Sequence, residues 1–200
     1  VSSAPAPIGA DRRARRTIEI TVQGVVGGTV STHLTSDARV GDIVHLTPPA
    51  GEFVLPDTPP GKLLFITAGS GITPVMSMLR HLARLAPHPD RCSVTMIHYA
   101  PSLDRTIFAD EMIRLSESAA WLELHLVHTA GPGVRHLDRT ELDRMCADRA
   151  DRVTYACGPT GLLDTATDLW NADGIADLLH VEQFTTPSIT AMPGDTHDGS

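Results

Sequence analysis

Cysteine is scarce in this chain, and its placement limits the chemistry that it could serve. The 200 residues contain three cysteines, at positions 92, 146 and 157, which form an odd and widely spaced set. Such a set favours neither a disulfide framework nor a cysteine metal site, and it is typical of a reducing compartment. We therefore expect a cytoplasmic protein.

Long apolar runs and basic clusters are also lacking. No apolar run approaches the ~18 residues that a membrane-spanning helix needs, so we expect no membrane span. The net charge is −8, whereas nucleic-acid binding requires clustered lysines and arginines that neutralise phosphates. The arginine cluster at residues 12–16 is too short to change this expectation.

Histidine is more frequent, with ten residues, but the histidines are scattered over separate predicted elements. His125 and His128 are three positions apart in a segment whose apolar pattern predicts a strand. Residues three apart on a strand point to opposite faces. We therefore expect no metal site.

From Lys62 onward, apolar strand-like segments alternate with helical ones. Val75, Met78, Leu79 and Leu82, for example, recur at helical spacing after an apolar run. The predicted strands lie near residues 63–66, 93–98, 122–127, 153–156 and 178–184, and the predicted helices near residues 74–85, 107–117, 138–146 and 160–172. Strict alternation predicts an α/β fold with a doubly wound parallel sheet covered on both faces.

We assign residues 60–184 to this domain, because the residues before it follow a different pattern. Residues 17–22 alternate with period two, which predicts a half-buried strand, and residues 43–46 predict another. Residues 30–34 favour one or two helical turns. Residues 1–59 are therefore predicted to be part of an antiparallel β-barrel. Residues 185–200 are rich in Pro, Gly, Ser, Thr and Asp, which is typical of a linker.

Two glycine–proline loops, each after an apolar strand, carry the clearest functional signal. The first contains Gly69, Gly71, Thr73 and Pro74, and the second is Cys-Gly-Pro at 157–159. A strand, a glycine turn and a helix N-terminus can hold a pyrophosphate, because backbone N–H groups and the helix dipole favour negative charge there. Either loop alone could be an ordinary tight turn. Together they predict one nucleotide lying across the carboxyl edge of the sheet.

In their order along the chain, these segments resemble the ferredoxin–NADP reductase family, in its bacterial form that serves ferredoxins and oxygenases. The first loop resembles the family's G-x-G-x-x-P nucleotide loop, and residues 157–159 resemble its C-G-P loop. Residues 182–184, Glu-Gln-Phe, resemble the E-x-F signature at the end of the last strand, close to the flavin edge. The resemblance implies an NAD(P)-binding module over residues 60–184 that works with FAD.

The resemblance also implies roles for individual residues. Cys157 would lie beside the nicotinamide carbon that gives up hydride. Glu182 would supply a charge or a proton relay near the flavin edge, so these two are the expected catalytic residues. The expected nucleotide-binding residues belong to the two loops: Gly69, Gly71, Thr73, Pro74, Gly158 and Pro159. Phe184, in the E-x-F signature, is a further expected cofactor-binding residue near the flavin edge.

A flavin-binding segment is implied earlier in the chain. Residues 28–32, Gly-Thr-Val-Ser-Thr, resemble the family's G-x-x-S segment that wraps the FAD pyrophosphate. The expected FAD contacts are therefore Gly28, Val30, Ser31 and Thr32. As an isolated residue, Ser31 would instead be interpreted as a helix N-cap.

Two further segments resemble parts of the flavin barrel. Residues 49–53 resemble its P-x-G-x-F rim turn, and residues 1–5 resemble the end of its R-x-Y-S-x-S-S-x-P segment. The Arg and Tyr of that segment would precede residue 1. We therefore expect an N-terminally truncated flavin domain at residues 1–59.

The choice between NADPH and NADH stays open. In the family, the loop after the second strand often carries an Arg or Ser that meets the 2′-phosphate of NADPH, and Pro101 stands here where the Arg is common. Ser102 and Arg105 could take that role. Asp104 could equally accept a hydrogen bond from the free 2′-hydroxyl of NADH, and a solvated loop is the third alternative.

The resemblance as a whole implies a flavin-dependent NAD(P)H oxidoreductase. Electrons would pass from NAD(P)H through FAD to a ferredoxin-type [2Fe-2S] acceptor that serves an oxygenase, hydroxylase or desaturase. The cysteine signature of that cluster is absent here, so the cluster would belong to a missing domain beyond the linker or to a separate protein. The alternatives are the reductase half of a flavohaemoglobin and a nucleotide-binding module without turnover of its own.

Overall fold

The computed structural model describes residues 18–46, 48, 50–85, 92–131 and 136–184. Five strands form one sheet: β1 (Lys62–Ala68), β2 (Ser93–Ala100), β3 (Leu122–His128), β4 (Val153–Cys157) and β5 (Leu179–Glu182). Their order across the sheet is β3-β2-β1-β4-β5, and every neighbouring pair is parallel. The predicted α/β fold with a parallel sheet is confirmed.

Four helices alternate with these strands where the periodicity predicts them. They are α2 (Ile72–Leu85), α3 (Ala109–Ser118), α4 (Arg139–Met145) and α5 (Thr160–Ala172), and a short helix α1 (Thr29–Thr32) precedes the sheet. Local signals set their ends. The Asp138 carboxylate, for example, accepts a hydrogen bond of 2.8 Å from the Glu141 N–H and caps α4.

The sheet is buried on both faces, which is why its strands are continuous apolar runs. Leu63 and Phe65 of β1 pack in a core with α2 and α3 on one face. Leu64 and Ile66 pack with α4 and α5 on the other face. Because side chains alternate along a strand, every residue of the sheet can be assigned to one of these two faces.

A buried arginine ties the strands together at their amino ends. Arg152 donates to the Leu63 carbonyl (3.1 Å), the Ser93 carbonyl (3.2 Å) and the Asp148 carboxylate (2.6 Å). Lys62 reaches the same carboxylate at 3.1 Å. These cations lower the pKa of Asp148 to about 2, with the Arg152 hydrogen bond as the main cause. The network holds β1 and β2 to the chain that enters β4.

The predicted strands at residues 17–22 and 43–46 are wrong for the described residues. Residues 18–22 and 43–46 form no ladder there, and side chains such as Ile18 and Ile43 are exposed. An alternating segment becomes a strand only when a neighbouring strand supplies hydrogen bonds, and none of the described residues before Lys62 does so. The assignment of residues 1–59 to a flavin domain stays a prediction.

The helical turns expected near residues 30–34 do form. Helix α1 continues into a π-helical turn over His33–Asp37. Residues 1–17, with their arginine cluster, and the predicted linker at 185–200 lie outside the described residues.

Candidate functional site

The two glycine loops meet at the carboxyl edge of the sheet. β1 lies between β2 and β4, and the chain leaves β1 for α2 on one face and β4 for α5 on the other. This position is the topological switch point of a doubly wound sheet, where a crevice opens outside the strand ends. The first loop is a 3-10 turn over Gly69–Gly71, and in the second Pro159 precedes α5 as its N-cap.

Both glycines of the first loop are required by the geometry. A Cβ on Gly71 would lie 2.2 Å from the Cys157 carbonyl oxygen, so only glycine lets the two loops touch. Gly69 has a φ of +53°, in the left-handed region, and its Cβ would meet open space. The backbone at Gly69 is therefore open to close approach by a ligand. Beyond the loop, Thr73 donates its hydroxyl to the Ser70 carbonyl at 3.1 Å, next to Pro74 in the first turn of α2.

A groove of about 710 Å³ runs along this edge, a volume in the usual range for small-molecule sites. Its walls are the two glycine loops, the end of β2 with Pro101, the chain after β3 with Thr129, and the first turns of α5. Gln23 and Phe184 reach it from outside the sheet. None of the described side chains that line it is acidic, and the start of α5 in its wall favours negative charge through the helix N–H groups.

The predicted catalytic residues lie side by side in one row across the sheet. Cys157 pairs in register with Thr67 on β1 and with Glu182 on β5, and Thr67 pairs with His98 on β2. The alternation along each strand places all four side chains on the face covered by α2 and α3. The structure therefore brings Cys157 and Glu182 together directly beneath the glycine loops.

Burial keeps two side chains of this row, Cys157 and His98, uncharged. The Cys157 side chain is fully buried, and burial, helped by the negative charge of Glu182, raises its pKa to about 12. Its thiol is therefore protonated near neutral pH and is not an activated nucleophile. Burial also lowers the pKa of His98 to about 4, so its ring is neutral. His98 Nδ1 and the Thr67 hydroxyl are 2.7 Å apart and satisfy each other.

The loop after β2 lies just beyond the groove. Pro101 lines the groove, whereas Ser102 and Arg105 are not among its lining residues. Asp104 has a lowered pKa, mainly because the Ser102 hydroxyl hydrogen-bonds to it. The loop thus carries a carboxylate and a guanidinium next to each other, which does not select between a 2′-hydroxyl and a 2′-phosphate.

The expected FAD segment forms the first turn of α1. Gly28 is the N-cap of this helix, and Val30, Ser31 and Thr32 lie within it. The interpretation of Ser31 as the N-cap is wrong. Its hydroxyl accepts from the Val25 N–H (3.1 Å) and donates to the Gly28 carbonyl (3.3 Å). Ser31 therefore closes the turn that leads into the helix.

Aromatic residues join the chain before the sheet to the row below Cys157. Tyr155, two residues before Cys157, donates its hydroxyl to the Val54 carbonyl at 3.2 Å. The Phe53 ring meets the Tyr155 ring edge-on, with centroids 5.4 Å apart. On its other side, the Tyr155 ring stacks on His180 at 4.7 Å. Phe53 belongs to the segment that resembles the rim of the flavin barrel.

Sequence reasoning missed several residues of this edge. Thr67 and His98 are polar residues at the ends of apolar strands, and that pattern was the available signal for them. Thr129 and Gln23 line the groove because of how the chain folds around the sheet, and no local sequence pattern predicts that placement. Tyr155 lies inside an apolar strand, where a hydrophobic residue is unremarkable.

The fold and the site together define a dinucleotide-binding module of the doubly wound α/β class. Two glycine loops contact each other at the switch point, a groove with no acidic lining residue among those described lies above them, and a protonated thiol lies beneath.

Comparison with known proteins gives the family. Residues 65–168, just over half of the chain, match the model of the oxidoreductase NAD-binding domain, and the chain belongs to this family. The resemblance to ferredoxin–NADP reductases is confirmed.

Similar proteins agree with this assignment. An NADPH oxidoreductase of Mycobacterium tuberculosis is 40% identical over 194 residues, which cover 97% of this chain and 48% of that protein. Phthalate dioxygenase reductase, described as modular for electron transfer from pyridine nucleotides to [2Fe-2S], superposes with a TM-score of 0.61 at 25% identity, covering 80% of this chain and 47% of that one. The FAD/NAD-binding domain of a Vibrio cholerae nitric oxide dioxygenase gives a TM-score of 0.67 at 27% identity, over 78% and 65% of the two chains.

Two further facts concern the extent of the match and the helices of the chain. The chain spans about half the length of the M. tuberculosis relative. Within the part of the chain that the structure describes, no helix has the length and apolarity needed to cross a bilayer.

Proposed function

We propose that this chain is the pyridine-nucleotide module of a flavin-dependent NAD(P)H oxidoreductase. The observation that carries the proposal is the contact between the two glycine loops at the switch point, with Cys157 below them and the groove above. The family assignment and the 40% identity to an NADPH oxidoreductase support it.

The groove residues fit a dinucleotide. The open backbone at Gly69 and the helix start that follows suit the pyrophosphate, and Gly158 and Pro159 form the opposite wall. Thr73 and Pro74 shape the first turn of α2 beside it. Ser102 and Arg105, or Asp104 in their place, would meet the adenosine 2′ end.

The fit for FAD is confined to a shorter set of residues. In the first turn of α1 the Val30 and Ser31 N–H groups have no partner within the helix, so they would receive its pyrophosphate. Gly28 and Thr32 would flank it, since their own N–H groups donate to the Val25 and Gly28 carbonyls. Phe184, about half exposed at one end of the groove, would adjoin its ring. When bound, the reduced nicotinamide supplies a hydride and the flavin accepts it.

The row beneath the loops would orient and shield that reaction. Cys157, uncharged and fully buried, would form part of the floor beneath the nicotinamide without attacking it, since it does not itself line the groove. Glu182 is only partly buried, and its carboxylate would hold a charge or a proton near the flavin edge. The apolar neighbours of the row would exclude water.

A ferredoxin-type [2Fe-2S] domain or protein is the proposed electron acceptor, in cis or in trans, with an oxygenase or desaturase beyond it. The support comes from relatives: phthalate dioxygenase reductase and the glycine betaine monooxygenase reductase subunit of Pseudomonas aeruginosa, the latter 30% identical over 182 residues. Cytoplasmic location remains a prediction. The three free cysteines are consistent with it.

Nucleotide binding is the direct test. Calorimetric titration with NADPH and NADH should give one site, and exchanging Gly71→Ala should weaken it at least tenfold, about 1.4 kcal/mol, because the added Cβ forces the loops apart. Gly24→Ala is the matched control, since its Cβ would meet only the Thr35 hydroxyl at an ordinary 3.6 Å. Equal affinity of the Gly71 variant and the parent would refute the assignment of the loops.

The flavin step needs a second measurement. The purified protein, incubated with FAD and gel-filtered, should retain the flavin absorption, and NADPH or NADH should bleach it. Binding of nucleotide without any flavin reduction would instead support a binding module without turnover. Reoxidation by a 2Fe–2S ferredoxin, compared with a haem protein, then decides the acceptor.

A further inference from the structure

Tyr155 joins the chain before the sheet to the strands that carry the predicted catalytic residues. Its ring is almost fully buried, at 2% exposure. Three of its contacts lie on different segments: Val54 through a hydrogen bond, Phe53 edge-on and His180 by stacking. A single side chain therefore connects residues 53–54 to both β4 and β5.

The register places this contact next to the chemistry. Tyr155 pairs with His180, and two residues further along the same strands Cys157 pairs with Glu182. All four side chains lie on the same face, since residues two apart on a strand share a face. The aromatic pair is therefore the row directly below the catalytic pair.

The contacts of Tyr155 hold residues 53–54 in one orientation. The rings of Phe53 and Tyr155 are inclined by 79°, the edge-to-face arrangement that aromatic pairs prefer, whereas Tyr155 and His180 are inclined by only 19°. The hydroxyl bond to the Val54 carbonyl fixes the remaining freedom, because a hydrogen bond requires both distance and angle. A movement of residues 53–54 along the sheet would therefore break the hydrogen bond between Tyr155 and Val54.

We propose that Tyr155 is a positioning residue: with Phe53 and His180 it clamps residues 53–54, here called the flavin-side segment, beside Cys157 and Glu182 and so sets the separation of flavin and nicotinamide. The identity of the two rings rests on the proposed function. The clamp itself rests on the contacts above. Tyr155 does not line the nucleotide groove, so its loss should slow hydride transfer without weakening nucleotide binding.

Amide hydrogen exchange of the purified protein tests the clamp without any cofactor. Tyr155→Phe, which removes only the hydrogen bond, should increase exchange over residues 50–58 several-fold, and Tyr155→Leu should increase it further. Exchange in β1 and β4 should stay slow. His125→Leu, on the edge strand β3, is the control and should leave residues 50–58 unchanged. Equal exchange in the parent and both Tyr155 variants would overturn the clamp.

Stopped-flow reduction of the FAD-loaded protein tests its consequence. The limiting rate should fall about threefold to tenfold in Tyr155→Phe, as expected for loss of one hydrogen bond, while the dissociation constant for the nucleotide changes by less than about twofold. Phe53→Leu should likewise lower the limiting rate and leave the dissociation constant for the nucleotide nearly unchanged. A change in binding with an unchanged limiting rate would refute the positioning role. A parent protein that binds nucleotide but reduces no flavin would refute the proposed function and, with it, the effect of Tyr155 on the reduction rate. The hydrogen-exchange measurement would still decide whether the clamp exists.

Discussion

Acidification should destabilise this fold through one buried histidine. His98 is 1% exposed, and its pKa is lowered from the usual 6.5 to about 4 because burial penalises the charged ring. In the unfolded chain the same ring is solvated and takes up its proton near pH 6.5. Below that value the unfolded state binds more protons than the folded state, so the free energy of unfolding falls.

The size of the effect follows from the difference between the two pKa values. Each pKa unit corresponds to about 1.4 kcal/mol, so a difference between 6.5 and about 4 gives a loss of about 3 kcal/mol on complete acidification. The contribution is fully present above pH 6.5 and is lost as the pH falls toward 4. Below pH 4 it should level off, because both states are then protonated. Such a loss is a large part of the stability of a small domain.

Urea unfolding at several pH values between 4 and 8 measures this directly. His98→Asn keeps a polar group for Thr67 but does not titrate, so its stability should fall less steeply than that of the parent over this range. His45→Asn, at an exposed position, controls for the substitution and should follow the parent. If the His98 variant and the parent have the same pH dependence, the ring is not held neutral by the fold and the reasoning fails.

Two further outcomes are expected. Arg152→Met should lower the free energy of unfolding by about 3 kcal/mol, because it removes the guanidinium donor from the Leu63 and Ser93 carbonyls and leaves Asp148 with Lys62 as its remaining cation. The exposed Arg144→Met, which loses only a helix-surface pair with Glu141, should cost no more than about 0.5 kcal/mol; equal losses in urea unfolding would contradict the role of the network. Cys157→Ser should slow flavin reduction at least tenfold while changing nucleotide affinity little, and an unchanged stopped-flow rate would remove Cys157 from the reaction.

Most of the fold could be predicted because its signals are local. Lys62–Ala68 is an apolar run bounded by a glycine loop, and it forms β1 because both faces of the sheet are buried. Helix α2 begins where Pro74 fits the first turn, whose N–H groups need no partner within the helix. Gly71 is recognisable in the same way, as part of a glycine loop between an apolar strand and a helix, although its contact with Cys157 is visible only in the structure. Each inference depends on a few consecutive residues.

The features that the sequence did not predict depend instead on residues far apart in the chain. Residues 18–22 alternate as a strand should, yet a strand exists only with a partner, and the partner is not a property of those residues. Thr67 and His98 form a pair because β1 and β2 are aligned in one register. The register is set by the whole sheet, so the sequence around either residue does not predict the other as its partner. The contact of Tyr155 with Val54 spans 101 positions and is equally invisible in sequence.

This difference bears on how the site would work. The nucleotide loops are built from short segments, in which Gly71 and Gly158 let the backbones after β1 and β4 approach each other. In the proposed reductase the separation between flavin and nicotinamide would have no such local determinant, because it would depend on where residues 53–54 lie on the sheet. Tyr155 and His180 provide the contact that fixes this position, and they lie on the strands that end in Cys157 and Glu182. A displacement of the flavin-side segment would therefore alter the reaction before it altered the binding of nucleotide.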